Sequence, residues 1–153
     1  GLECDTDAEA HISTLKHLGA KKIAIASRWS DAVNAGLIAY LADAGIEVLA
    51  CKSQGRSLSQ NKSASALADH ELALKLGREA LTQAPEAEAL LMPGGLWFAI
   101  HAVPILEAEF GKPVLLNILS TTCSALRACP PNLKEFAPKP DPRWGKVLAS
   151  AEK

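Results

Sequence analysis

Hydroxyl, amide and glycine residues recur just after the short apolar runs of this sequence, in a pattern typical of a small-anion site. The candidates are Ser27, Asn34, Gly94, Gly95, Ser120 and Thr121. Hydroxyl and amide groups donate hydrogen bonds to an oxyanion, and glycine lets a backbone N–H approach it closely. The apolar runs precede predicted helices, whose first N–H groups and dipole favour a negative charge. These residues therefore predict a site for a small carboxylate or phosphate.

Each of these features also has a purely structural interpretation. Gly94 and Gly95 could form only a tight strand-to-helix turn. Ser120 and Thr121 could be no more than helix N-caps. Trp29, in a polar segment, could face a ligand or could half-cover the core. Neither a G-x-G-x-x-G nor a G-x-x-x-x-G-K-[ST] sequence occurs, so nucleotide binding has no specific support.

The cysteines and histidines do not follow a metal-binding spacing. The cysteines are Cys4, Cys51, Cys123 and Cys129. They form no C-x-x-C pair, so we expect no structural zinc site. Scattered cysteines are usually small buried residues, and they favour a reducing, cytoplasmic location. The histidines fall in predicted helices, and we interpret all of them as surface or interface residues: His11, His17, His70 and His101.

Composition limits the classes of function. The 153 residues are 48% hydrophobic and 22% charged, with a net charge of −1. This balance is typical of a folded globular chain. Without a basic excess, binding to nucleic acid or anionic lipid is not expected. No apolar run approaches the length of about 20 residues that spans a membrane. The first residues resemble no signal peptide, and the initial Gly1 suggests a cut fragment or a longer gene product.

The elements that must position these residues alternate between helix and strand. The pattern predicts helices over 6–18, 30–44, 66–84, 97–110 and 120–128, and strands over 23–27, 46–51, 89–92 and 113–117. Pro104 could separate the first half of the fourth helix as a short turn. The polar residues 52–65 are predicted to be the longest irregular stretch, either a binding lid or simply mobile.

Short apolar strands separated by helices imply parallel pairing with right-handed crossovers. We therefore expect an α/β fold, a three-layer αβα domain with a parallel sheet of about four strands. The domain should span residues 1–129. A proline-rich tail, 130–153, should follow it, with one short closing helix from about Trp144. Ligands of such sheets bind at the carboxyl ends of the strands, where the candidate residues lie.

The assembled pattern resembles the aspartate/glutamate racemase superfamily, and within it the branch of arylmalonate decarboxylase and maleate cis-trans isomerase. The resemblance runs from Leu15 to about Arg127, and it is carried by the segments 18–26, 27–34, 90–96 and 106–114. It implies one half of a two-domain fold with the active site between the halves. It also implies cofactor-free chemistry on a small mono- or dicarboxylate, with a cysteine thiol moving a proton. Backbone N–H groups and hydroxyls would hold the carboxylate.

The sequence departs from that family in three places. The first domain is not in this chain. The position of the second-half catalytic cysteine is occupied by Pro93 or Gly94, neither of which can transfer a proton. Trp29 stands where many members have tyrosine, and we expect it to form an apolar wall. Cys123 is the one thiol that we keep as a catalytic candidate, since its segment opens the last predicted helix.

The resemblance leaves two interpretations of function. The chain could be the second domain of a decarboxylase- or isomerase-like enzyme, inactive alone, which needs a first α/β domain or a homo-oligomeric partner. Alternatively, it could be a non-catalytic carboxylate-binding module or an inactive fragment of the same fold. In both cases Gly94 and Gly95 would offer backbone N–H groups to the anion. Asn34 would hold either its loop or the carboxylate.

Overall fold

Four parallel strands form the sheet at the centre of the computed structural model, which describes residues 6–57, 60, 65–130, 132, 139 and 141–151. The strands are β1 (Lys22–Trp29), β2 (Glu47–Arg56), β3 (Ala89–Met92) and β4 (Val114–Leu116), in the order β2-β1-β3-β4. All three pairings are parallel. Every residue of β3 and β4 is buried, as expected for strands that are covered on both faces. The predicted four-stranded α/β sheet is confirmed.

In the described part of the chain, six helices flank this sheet on both faces. They are α1 (Asp7–His17), α2 (Asp31–Asp43), α3 (Ala66–Gln83), α4 (Ala102–Phe110), α5 (Asn117–Ala128) and α6 (Lys146–Ser150), and a 3-10 turn covers Pro142–Trp144. Helix α1 packs on α5, which also contacts α6, while α3 packs on α4. Thr6 begins α1 with a capping box, in which its hydroxyl accepts from the Glu9 N–H and the Glu9 carboxylate accepts from the Thr6 N–H. No described helix has the length and apolar character needed to cross a membrane.

Two strands are longer than the sequence predicted. β1 continues to Trp29 and β2 continues to Arg56, and these two residues are still paired with each other. The prediction of an irregular stretch from residue 52 is therefore wrong for 52–56. Residues 58, 59 and 61–64 of that stretch lie outside the described part. Polar composition misled the prediction here, because backbone pairing between neighbouring strands continues whatever the side chains are.

Two helix starts also differ from the prediction. Helix α4 begins at Ala102, so Pro104 lies in its first turn, where a missing N–H costs no helical hydrogen bond. Helix α5 begins at Asn117, directly after β4, with Leu116 as its N-cap. The interpretation of Ser120 and Thr121 as N-caps is therefore wrong.

The tail contributes to the core through α6. The closing helix expected from Trp144 begins at Lys146, and its Val147 and Leu148 are buried. Glu107 of α4 accepts hydrogen bonds from the Lys146 N–H at 2.9 Å and from the Val114 N–H at 3.0 Å. Burial raises the pKa of Glu107, an effect that these bonds partly oppose. This one carboxyl therefore ties α4 to both β4 and α6.

Candidate functional site

A cleft of about 480 Å³ opens at the carboxyl ends of β3 and β4. We call it the β3–β4 cleft. Its lining residues are Asp7, Gly94, Gly95, Trp97, Phe98, Ile100, Leu116, Asn117, Ile118, Thr121 and Trp144. The lining is mostly apolar, and the first residues of α5 form one wall. Carboxyl strand ends are the usual place for a ligand in an open α/β sheet, as the sequence predicted.

The turn after β3 brings backbone close to the ring of Trp29. Gly94 has a φ of +105°, a backbone conformation that residues with a side chain rarely adopt. A Cβ atom there would also lie 3.4 Å from Trp29 Nε1. Gly95 is not constrained in this way, since a Cβ atom added there would meet only Asn117 Nδ2, at 3.7 Å. The turn therefore requires glycine at position 94, whereas position 95 is open to the cleft.

Asn117, the first residue of α5, connects three parts of the cleft. Its Oδ1 accepts from the Gly94 N–H at 3.2 Å and lies 2.7 Å from His11 Nε2. Its Nδ2 donates to Asp7 Oδ2 at 2.6 Å. The Gly94 N–H and the Asp7 carboxylate together fix which way the amide points. No local pattern indicated this role, because Asn117 was predicted as the last residue of a strand.

His11 of α1 is buried, with only 2% of its surface exposed. Its Nδ1 lies 2.8 Å from Ser120 Oγ. Because Asn117 Oδ1 can only accept, His11 Nε2 carries the hydrogen and Nδ1 accepts from the Ser120 hydroxyl. Burial lowers the pKa of His11, while the bond to Asn117 and the charge of Asp7 partly oppose this shift. Burial therefore favours the neutral form of the His11 imidazole.

The interpretation of His11 as a surface or interface residue is wrong, because its side chain is buried within the chain. Its partners lie 106 and 109 residues away in the sequence, so spacing gave no indication of them. We call Asp7, His11, Gly94, Asn117 and Ser120 the cleft cluster, since three of its members line the β3–β4 cleft.

Ser27, Trp29 and Asn34 form a second polar group, which we call the closed cluster. The buried Ser27 hydroxyl donates to Asn34 Oδ1 at 2.7 Å, and Asn34 Nδ2 donates to the Trp29 carbonyl at 3.2 Å. None of the three lines the β3–β4 cleft. These bonds are structural, since they connect the first turn of α2 to the end of β1. Trp29 is half-buried at the end of β1, rather than in a loop.

The two α5 candidates have separate roles. Thr121 lines the cleft, and its hydroxyl donates to the Asn117 carbonyl at 2.9 Å. Ser120 is fully buried and contacts His11 instead. The cleft thus brings together Gly94, Gly95 and Thr121 of the predicted binding residues, and it leaves out Ser27, Trp29, Asn34 and Ser120.

A buried ion pair that the sequence did not reveal supports the other wall. Arg28 of β1 lies 3.4 Å from Asp69 of α3, and its Nη1 donates to the Leu96 carbonyl at 3.1 Å. Asp69 accepts from the Phe98 N–H at 3.2 Å, and its carbonyl accepts from Trp97 Nε1 at 3.1 Å. The pair therefore holds residues 96–98, which follow the glycine turn.

No described cysteine reaches the cleft. Cys123 is not in the first turn of α5 as expected; it is the seventh residue, fully buried near Thr14 and Ser150, and burial raises its pKa. Cys51 lies within β2, where burial raises its pKa, and Cys129 lies at the opposite end of α5 from Asn117. Cys4 lies outside the described residues. A low-pKa thiol needs an electropositive, accessible setting, which neither Cys51 nor Cys123 has.

Pro93 and Gly94, the positions that the resemblance assigns to the catalytic cysteine, lie at the end of β3 beside this cleft. Neither residue has a side chain that could donate a proton to a substrate. Within the described part of the chain, no three His, Cys, Asp or Glu side chains are grouped so that they could hold a metal ion.

The sequence and the fold of this chain are similar to those of known proteins. The chain is 30% identical over 115 residues to arylmalonate decarboxylase of Bordetella bronchiseptica, a match that covers 75% of this chain and 47% of that protein. A crystal structure of arylmalonate decarboxylase superposes with a TM-score of 0.78 at 26% identity, over 97% of this chain and 61% of that one. Maleate isomerase from Pseudomonas putida S16 shares the fold, with a TM-score of 0.79 at 23% identity over 95% of this chain and 55% of that one.

The chain thus spans about half the length of the curated relative that it matches. The family model described as arylmalonate decarboxylase matches residues 1–134. That match covers both the glycine turn after β3 and the α5 wall of the cleft. By this match over most of its length, the chain belongs to the arylmalonate decarboxylase family.

Proposed function

We propose that this chain supplies the carboxylate-binding half of a cofactor-independent enzyme of the decarboxylase or isomerase type, acting on a small mono- or dicarboxylate. The observation that carries the proposal is the β3–β4 cleft, at the strand ends where α/β proteins bind ligands, in a chain of the arylmalonate decarboxylase family. The start of α5 forms one wall, and unpaired helical N–H groups there favour an anion.

The apolar lining supports an organic acid over an inorganic anion. Phe98, Ile118 and Trp144 line the mouth with 63%, 61% and 48% of their surfaces exposed. Covering these side chains with the apolar part of a ligand removes apolar surface from water, which contributes favourably to the binding free energy. A carboxylate would then lie towards Gly95 and Thr121.

The thiol of the reaction would come from outside the described cleft. In a decarboxylation, the C–C bond to the departing carboxylate breaks and CO₂ leaves. The electron pair remains as an enediolate, which takes a proton from a thiol at the α-carbon. Because the cleft holds none of the described cysteines, we propose that a further domain or a second copy of the chain brings that thiol. The chain alone would bind without turnover.

Two further statements belong to this proposal. No cofactor is needed for proton transfer from a thiol to an enediolate, so the proposed reaction is cofactor-independent. The free thiols of Cys51, Cys123 and Cys129 are typical of a reducing compartment, which supports a cytoplasmic location.

The experiment is a titration of the chain with phenylacetate, followed by the chemical shifts of its backbone amides. We expect the shifts to change around Gly95 and Thr121. Gly95→Val should abolish the changes, because its side chain fills the cleft without a backbone conflict. Gly36→Val is the matched control, since Gly36 is exposed on α2 and a Cβ there meets nothing within 4 Å.

Three results would decide the proposal. Saturable shift changes that Gly95→Val removes and Gly36→Val keeps would support it. Absence of binding in the original chain would contradict it and favour the inactive fragment. Release of CO₂ from phenylmalonate by this chain alone would contradict the part that assigns the thiol to another domain or copy.

A further inference from the structure

Trp144 reaches the β3–β4 cleft from the far end of the described chain. Among the described residues that line the cleft, it alone belongs to residues 141–151, which we call the closing segment. The other lining residues come from the start of α1, from the stretch after β3, and from β4 and α5. The Trp144 side chain is 48% exposed, so a ligand in the cleft can cover its ring. This part of the cleft wall therefore depends on how the closing segment is held.

Helix α6 fixes the closing segment to the domain. Its Val147 and Leu148 are buried in the core, and the Ser150 carbonyl accepts a hydrogen bond from His17 Nε2 at 2.8 Å. Apolar burial of this kind is not directional, so it holds the helix without setting where the preceding residues point. A defined position for Trp144 needs a directional contact at the start of α6.

Glu107 of α4 makes that contact. Lys146 is the first residue of α6, so its N–H has no acceptor within the helix, and the N-cap residue Gly145 has no side chain that could supply one. The two carboxylate oxygens of Glu107 accept from this N–H, Oε2 at 2.9 Å and Oε1 at 3.1 Å. The Lys146 ammonium also donates to the Gly111 carbonyl, at the end of α4, at 2.6 Å. The start of α6, two residues after Trp144, is thus fixed to α4.

Gly145 lets the chain turn from Trp144 into this contact. Its φ is +96°, a conformation that favours glycine. A Cβ atom at this position would lie 2.7 Å from Val103 Cγ1 and 3.1 Å from each carboxylate oxygen of Glu107. The backbone therefore passes directly against the Glu107 carboxylate, and that close approach sets the direction in which the chain reaches Trp144.

We propose that Glu107, which is not among the residues lining the cleft, is a positioning residue that holds Trp144 against the apolar part of a bound acid. This role rests on the proposed function, since it concerns a ligand of the same cleft. The carboxylate fixes the start of α6, and the glycine turn carries the Trp144 ring from there to the cleft. Without the contact, the ring moves away from the ligand and less apolar surface is covered on binding.

The test is a double-mutant cycle on the dissociation constant of phenylacetate, measured from backbone amide chemical shifts. Trp144→Ala should raise this constant about fivefold, as for the loss of roughly 40 Å² of covered apolar surface. Glu107→Gln keeps the side-chain volume, but one of the two N–H groups then faces the new NH₂ group. It should raise the constant about threefold, a part of the effect of removing the ring. In a chain that already carries Trp144→Ala, Glu107→Gln should change it less than about 1.5-fold, because the ring through which it acts is absent.

A second route to the same displacement uses Gly145→Ala, whose methyl group would meet Val103 and Glu107. It should also raise the dissociation constant, and again only while Trp144 is present. Gly45→Ala is its matched control, since Gly45 has a φ of +81° but a Cβ atom there meets nothing within 4 Å.

Glu109→Gln is the matched control for Glu107→Gln. It alters a carboxylate of the same helix that pairs with Arg78 at the surface, and should leave the dissociation constant unchanged. A measurement without ligand completes the set. Glu107→Gln should speed hydrogen exchange of the Lys146 amide at least about tenfold, because local opening of the helix start becomes easier.

The outcomes separate this inference from the proposed function. If the original chain does not bind phenylacetate, the proposed function fails, and the role of Glu107 in binding fails with it. If phenylacetate binds but Glu107→Gln changes neither the constant nor the exchange of Lys146, the proposed function stands and the inference is overturned. The same holds if the effect of Glu107→Gln persists without Trp144, because Glu107 would then act through β4. An increase that Trp144→Ala removes would support the inference.

Discussion

The closed cluster and the cleft cluster are built from the same kinds of residue, yet of the two only the cleft cluster has members that line the β3–β4 cleft. In the closed cluster, Ser27, Asn34 and the Trp29 carbonyl satisfy each other and are surrounded by protein. In the cleft cluster, Asn117 binds Gly94 and Asp7, both of which line the β3–β4 cleft. Hydroxyl and amide groups at strand ends are therefore not sufficient to make a binding site. Their partners decide whether any polar group is left for a ligand.

The largest expected effect concerns the buried ion pair of Arg28 and Asp69. Asp69→Ala removes the carboxylate beside the buried Arg28 guanidinium, and a buried charge that loses its partner costs about 3–5 kcal/mol of unfolding free energy. Urea denaturation measures this loss. Glu109→Ala is the control, because it breaks the exposed Arg78–Glu109 pair and should change stability little. Equal effects of both variants would mean that Arg28 finds other partners without cost.

The next pair of variants tests the comparison directly. Asn34→Ala and Asn117→Ala each remove an amide from one cluster, and each should lower the unfolding free energy by about 1–3 kcal/mol, the usual cost of unpaired buried polar groups. Only Asn117→Ala should alter ligand binding. This variant frees the Gly94 N–H and should lower the dissociation constant of phenylmalonate about threefold. That change corresponds to less free energy than one hydrogen bond usually contributes. Calorimetric titration of both variants measures this difference.

The distinction between the clusters fails if Asn34→Ala shifts the dissociation constant as much as Asn117→Ala does. In that case the closed cluster would also shape the cleft, through the Trp29 ring, which leaves little space for a side chain at position 94. An unchanged constant in both variants would instead remove Asn117 from the binding site.

A smaller effect should appear when pH is lowered. Because burial holds the pKa of His11 below its value in the unfolded chain, the unfolded state takes up this proton first. The unfolding free energy should therefore fall as pH drops below about 6.5, by at most about 1.4 kcal/mol per pH unit from this residue. His11→Gln should show a shallower slope in urea denaturation between pH 7.5 and 5.5. Identical slopes would mean that His11 charges without cost when buried.

The smallest effect is expected away from both clusters. Cys123→Ala removes a fully buried sulfur of α5 that lies near Thr14 and Ser150. The loss of core volume is small, and it should lower the unfolding free energy by about 1 kcal/mol. The dissociation constant of phenylacetate should stay within about twofold of its original value, the scatter of a neutral change. A larger change would restore Cys123 as a residue of the site.

The sheet was predictable because its signals are local. The apolar run of β3 was placed at its observed bounds, and Gly19 and Gly45 ended α1 and α2 where expected, each with a positive φ. Errors arose where tertiary pairing overrides composition, as in the polar second half of β2. The start of α5 was also missed, because its N-cap is Leu116, which has no capping side chain.

By itself, the sequence determined the α/β order of elements, the family resemblance and the glycine turn beside the candidate site. Apolar periodicity, helix termini and glycine conformation act over a few residues, and so they can be seen in a single chain. Only the tertiary structure decided that Ser27 and Asn34 close on each other while His11 and Asn117 meet across 106 residues. Hydrogen bonds between distant residues depend on how helices pack on the sheet, and no local spacing records that packing.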